Sequence, residues 1–104
     1  MSVMDTTASA GRALAQQLTI VNRKGLHARA SARFVRTAEC FDAEIKVTRD
    51  GQTVAGNSIM GLMMLGAGIG STILVQASGK QAREALDAIT VLVNNGFDED
   101  AEGA

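Results

Sequence analysis

Few side chains in this sequence could do chemistry unaided. Histidine and cysteine each occur once, as His27 and Cys40. One of each puts a tetrahedral Cys/His zinc site out of reach and rules out an internal disulfide. A lone cysteine suits a reducing, cytoplasmic setting. Cys40 falls near the end of a helix-patterned stretch and reads as a small buried apolar residue without a role. His27 keeps different company. It lies in Gly25-Leu26-His27-Ala28-Arg29, inside a segment that carries Arg23, Lys24, Arg29, Arg33 and Arg36 and no acid. A β-patterned run stops just before it and a helical pattern starts at it. The mouth of a helix offers unpaired N–H groups and about half a positive charge. That place attracts an anion and disfavours a protonated imidazole, so a neutral ring there can act as a nucleophile near neutral pH. Were the ring to take a phosphoryl group, the backbone N–H groups of Ala28 and Arg29 could hold its oxygens. The Arg29 guanidinium adds a permanent cation suited to a bidentate grip. The plainer readings are a surface histidine that only caps the helix, and a solvated face for Arg33 and Arg36.

Other motifs fail on inspection. Gly66-x-Gly68-x-Gly70 leads into a strand-like run rather than opening a helix, so it is no dinucleotide loop. Gly79-Lys80 lacks the first glycine and the hydroxyl residue of a P-loop. Ser58 sits in Gly-Asn-Ser-Ile-Met, not in a nucleophile elbow.

The elements that must position His27 follow from periodicity. Leu18-Thr19-Ile20-Val21 reads as a short strand that Gly25 breaks. From His27, the residues Ser31, Phe34, Val35, Ala38 and Phe41 recur at three and four, an amphipathic helix. Glu44 to Thr48 alternates strictly, Asp50-Gly51 suits a type I′ turn, and Gln52 to Ala55 returns as the second arm of a hairpin. Ser58 is a good N-cap for a short helix to Leu65, closed by Gly66. Thr72 to Ala77 reads as the fourth strand. Ala82, Ala85, Leu86, Ile89 and Val93 mark a last helix that ends near Asn94-Asn95-Gly96. The order is βαββαβα. Alternating strands imply one covered face, hence an α+β two-layer sandwich with a four-stranded antiparallel sheet and the helices on one side.

Composition bounds the rest. The chain has 104 residues, net charge −1, 46% hydrophobic and 20% charged residues, which describes one small domain. A chain of this size buries roughly 60–65% of its unfolded surface, which leaves no room for a deep cleft. The longest weakly polar run, Ile59 to Gly70, has 12 residues and four glycines, against roughly 20 apolar residues for a membrane span; no membrane insertion is expected. No apolar h-region is present near the first residues, so no signal peptide is expected either. With three Phe and no Trp, Tyr or Pro, base-stacking platforms are missing, which argues against nucleic acid as a partner. Residues 1–15 are small and polar and read as a flexible extension, with the domain at 16–97. Residues 98–104, with Asp98, Glu99, Asp100 and Glu102, read as a frayed acidic tail.

With these elements in place, Gly25-Leu26-His27-Ala28-Arg29 resembles the active-site signature of the HPr family, the histidine phosphocarriers of the bacterial phosphoenolpyruvate-dependent phosphotransferase system. Asn57-Ser58-Ile59-Met60-Gly61-Leu62-Met63-Met64-Leu65-Gly66 resembles that family's regulatory-serine segment, at the family's spacing, and the likeness runs from about Gln16 to Gly96. The resemblance implies that His27 accepts a phosphoryl group on Nδ1 from enzyme I and passes it to an IIA-type acceptor, in sugar uptake or a regulatory relay, with Arg29 steadying the group. It implies that Ser58 is the target of an HPr kinase/phosphorylase, and that Ile59, Met60 and Met63 form an apolar docking patch. It further implies a monomeric cytoplasmic carrier that shuttles the phosphoryl group stoichiometrically rather than a turnover enzyme, with no metal or organic cofactor. A regulatory binding module controlled by Ser58 is the alternative. One residue departs from the family pattern: Ala30 stands where proline is usual, which frees one more N–H at the helix mouth.

Overall fold

The computed structural model describes residues 13–99. It contains β1 (Leu14–Thr19), α1 (Ala28–Ala38), β2 (Glu44–Arg49), β3 (Gln52–Ala55), α2 (Ile59–Met64), β4 (Thr72–Ser78), α3 (Ala82–Asn94) and a closing 3₁₀ turn (Gly96–Asp98). The four strands form one antiparallel sheet in the order β1-β4-β2-β3. Strand alternation sends Ile45 and Val47 of β2 and Ile73, Val75 and Ala77 of β4 to the covered face. There they meet Phe34, Val35 and Ala38 of α1, Leu62 of α2, and Leu86, Ile89 and Val93 of α3 in a single apolar core. The result is the open-faced two-layer α+β sandwich that the alternating strands imply.

The hairpin follows its turn chemistry. Asp50 (φ 50°) and Gly51 (φ 82°) both take left-handed backbone, which matches the twist of the flanking strands. Val47 then stands opposite Val54, and the Thr48 and Thr53 hydroxyls meet at 2.7 Å. Arg49, at the end of β2, donates to the Leu65 carbonyl at 3.0 Å, a cation on the last carbonyls of α2.

Two expectations need correction. The first strand runs from Leu14 to Thr19 rather than from Leu18 to Val21. Leu14 to Gln17 pair with Ala77 to Leu74 of β4, so ordered structure starts ahead of Gln16. The reason is that an edge strand is held by its neighbour's backbone, and Ala15, Gln16 and Gln17 need no apolar alternation to join it. Residues 1–12 and 100–104, the bulk of the proposed extension and tail, lie outside the described residues. The second correction concerns Cys40, which is exposed, with its Sγ 3.3 Å from the Arg36 carbonyl. Helix α1 ends at Ala38, so the buried stripe does not carry through Cys40.

Candidate functional site

The chain from Ile20 to His27 is moored by backbone bonds to the 66–71 loop. Ile20 N–H donates to Ser71 (2.8 Å), Gly70 N–H to Ile20 (2.8 Å) and Leu26 N–H to the Ala67 carbonyl (2.9 Å). Gly25 makes the approach possible. Its φ is +66°, and a Cβ there would lie 2.3 Å from the Ala67 oxygen, so no larger residue fits. Ser31, buried in the first turns of α1, donates from its hydroxyl to the Leu26 carbonyl at 3.2 Å. The histidine therefore projects from a loop with little freedom.

His27 is the N-cap of α1, with extended backbone (φ −78°, ψ −175°). Its Nδ1 accepts the backbone N–H of Arg29 at 3.3 Å. The ring is partly exposed, with 27% of the side chain open to solvent, and its other nitrogen, Nε2, meets Oε2 of Glu99. Ala28 and Arg29 are exposed on the first turn. The sequence motif and the structure thus bring His27 Nδ1 and the helix-mouth amide of Arg29 together.

Glu99, Asn22 and Arg33 complete the surroundings, and none was assigned to the site from sequence. Asn22 is buried; its Nδ2 donates to the Gly25 carbonyl at 2.8 Å and to Glu99 Oε1 at 3.0 Å. Arg33 was expected on a solvated face, but its guanidinium donates to the Phe97 carbonyl. Helical spacing alone cannot show what lies beyond a helix's own faces. Phe97 is fully buried, and both Phe97 (φ 57°) and Asp98 (φ 63°) adopt left-handed backbone. That turn bends the chain back and delivers Glu99 to the ring. The expectation of a frayed acidic tail fails at this residue, whose side chain is only 14% exposed. A lone phenylalanine in an otherwise polar run was the one available signal. Burial by itself would raise the Glu99 carboxyl. The hydrogen bonds from Asn22 and His27, with the charges of His27 and Arg33, outweigh it and hold the group below its ordinary value.

Ser58 caps α2 as its pattern predicts. Its hydroxyl accepts the Gly61 N–H at 2.9 Å. Helix α2 packs against α1 and buries Leu62, while Ile59, Met60 and Met63 are exposed, as is Met64 at 67%. Met64 therefore widens the apolar surface, and Val21 and Ile69 are exposed as well. Among the described residues no cluster of three or more His, Cys, Asp or Glu could hold a metal, and no helix is long and apolar enough to cross a membrane.

Residues 14–95 match the family model described as the phosphotransferase-system HPr component phosphorylation site. The chain belongs to the HPr family. It is 46% identical over 86 residues to the phosphocarrier protein HPr of Cupriavidus necator, covering 83% of this chain and 97% of that protein. It is 42% identical to the phosphocarrier protein NPr of Escherichia coli K12, with 82% and 96% coverage. Among solved structures it resembles HPr-C-His from Thermoanaerobacter tengcongensis, with a TM-score of 0.80 at 38% identity, over 83% of this chain and 97% of that one. HPr and NPr relatives together support a phosphocarrier role in the phosphotransferase system. His27, Arg29 and Ser58 fall within the matched HPr residues; Glu99 falls beyond them.

Proposed function

We propose that His27 accepts a phosphoryl group from enzyme I on Nδ1, the group originating from phosphoenolpyruvate, and hands it to an IIA-type acceptor. The observation that carries this reading is the placement of Nδ1 at the mouth of α1, where it accepts the Arg29 N–H. On phosphorylation, the Arg29 amide can turn from the ring to the phosphoryl oxygens, and the Ala28 amide can join it there. The Arg29 guanidinium, two residues on, supplies the cation that steadies the group. No deep pocket is required, because the reacting partners are themselves proteins that close over the site.

Ile59, Met60 and Met63, exposed on the helix beside α1, supply the docking surface, and Met64 extends it. Methionine suits a surface that meets both a donor and an acceptor, since its side chain adapts to each. Ser58, half-buried at the edge of that surface, is the candidate target of an HPr kinase/phosphorylase. A phosphate there adds nearly two negative charges to the docking face without breaking α2. A monomeric cytoplasmic carrier in sugar uptake or a regulatory relay fits these features.

The test is intact mass after incubation with phosphoenolpyruvate and enzyme I, with His27→Ala alongside. One acid-labile phosphate on the wild type and none on the variant is the expected result. No phosphate, with the same enzyme I active on another carrier, would overturn the reading and move attention to Ser58 as the control point of a regulatory module.

A further inference from the structure

We infer that Glu99 is a positioning residue for His27: its side-chain carboxylate holds the Nε2 proton and so presents the Nδ1 lone pair as the phosphoryl acceptor. The inference rests on the phosphocarrier reading of His27 and deepens it, because it explains which ring nitrogen reacts.

The two ring nitrogens face partners of opposite kind. Nδ1 faces the backbone N–H of Arg29, which can only donate. Nε2 faces a carboxylate, which in its ionised form can only accept. One neutral tautomer satisfies both contacts: proton on Nε2, lone pair on Nδ1. A free imidazole populates both tautomers, and the hydrogen bond made by one nitrogen sets the state of the other. The low-lying carboxyl of Glu99 is ionised at neutral pH, consistent with its role as acceptor.

Glu99 is itself held. Its Oε1 takes a hydrogen bond from Asn22, which is buried and bonded in turn to the Gly25 carbonyl two residues before His27. Phe97 is buried, and its carbonyl is gripped by Arg33. Two consecutive non-glycine residues with left-handed backbone aim Glu99 at the ring. Such conformations are strained and persist only where the surroundings enforce them. A casual surface carboxylate would have no such support.

The chemistry is consistent with this placement. The Nδ1 lone pair attacks phosphorus, the Nδ1–P bond forms, and the bond from phosphorus to the donor's leaving atom breaks, its electron pair leaving with that atom. The Nε2 proton stays throughout. The ring becomes cationic and the Glu99 carboxylate pairs with that charge. On transfer to the acceptor nucleophile, the retained proton lets the ring leave as neutral imidazole rather than as an anion.

The experiment uses the full chain, Glu99→Ala and Glu99→Gln. Long-range ¹H–¹⁵N correlation reads the His27 tautomer. Phosphoramidate, a small chemical donor, then reads rate and product without any partner protein. The wild type is expected to show a protonated Nε2, an unprotonated Nδ1 and the Nδ1-phosphohistidine product. Glu99→Ala is expected to mix the tautomers, slow phosphorylation by about tenfold and admit Nε2-phosphohistidine. Glu99→Gln, whose amide oxygen still accepts, should restore the tautomer and the product while remaining slower than wild type. A Glu99→Ala protein with wild-type tautomer and product overturns the inference, whether or not its rate falls. Failure of enzyme I to charge the wild type would overturn the phosphocarrier reading alone, since the tautomer and phosphoramidate readouts still judge Glu99.

Discussion

The mouths of α1 and α2 use the same device for different ends. Each helix is capped by the side chain of the residue before it. At α2 the cap is compact and tight, Ser58 Oγ to Gly61 N–H at 2.9 Å. At α1 it is long, His27 Nδ1 to Arg29 N–H at 3.3 Å. An imidazole is a poor cap beside a hydroxyl, but it brings a second nitrogen, and here that nitrogen meets a carboxylate from the far end of the chain. A good cap binds the helix amides in the ground state. A weak one leaves them ready for another acceptor, such as a phosphoryl oxygen. On the proposed reading, the comparison assigns stability to Ser58 and chemistry to His27.

His27→Ala gives the largest effect expected from that division: phosphate acceptance is abolished, while Tm hardly moves. If thermal unfolding showed His27→Ala to be as damaging as loss of a good cap, the two mouths would be structural equivalents. Arg29→Ala comes next. Removing one charge-stabilising donor from a transfer site costs on the order of 10²-fold in rate, measured by the initial rate of charging by enzyme I, with the fold unchanged by circular dichroism. Ser58→Ala should do the reverse, costing about 1 kcal/mol of stability in denaturant unfolding and leaving His27 charging close to wild type. A collapse of charging in Ser58→Ala would break the comparison from the other side.

The smallest expected effect is on pH. The Glu99 carboxyl lies below its ordinary value in the folded chain, so the unfolded state binds the proton more readily. Its stabilisation is complete above the unfolded carboxyl range and is lost as pH falls through the lower, folded value. Between neutral pH and pH 3, the Tm of the wild type should fall further than that of Glu99→Gln, which has no group to titrate. Parallel curves would mean that the Glu99 carboxylate's contacts with Asn22, His27 and Arg33 contribute nothing to the folded state.

Much of this was legible in the residues because it is local. Asp50-Gly51 makes its turn whatever surrounds it. The stripe from Ser31 to Ala38 and that from Ala82 to Val93 place the buried faces of α1 and α3. Ser58 caps the helix that follows it. The early start of β1 was hidden because Gln16 and Gln17 owe their place to β4 rather than to their own pattern. Cys40 was misjudged because the helical period was carried to Phe41, three residues past the helix end.

Periodicity, turn residues and the Gly25-to-Arg29 motif thus determine the βαββαβα order, the covered face of the sheet, and a histidine at a helix mouth, since each depends on neighbours within a few positions along the chain. The strand order β1-β4-β2-β3 and the joining of Asn22, His27 and Glu99 were decided only in three dimensions. His27 and Glu99 are 72 residues apart, and no short-range pattern spans that gap. Burial of Phe97, a left-handed turn and the grip of Arg33 close it, converting what reads as an acidic tail into the partner of the ring.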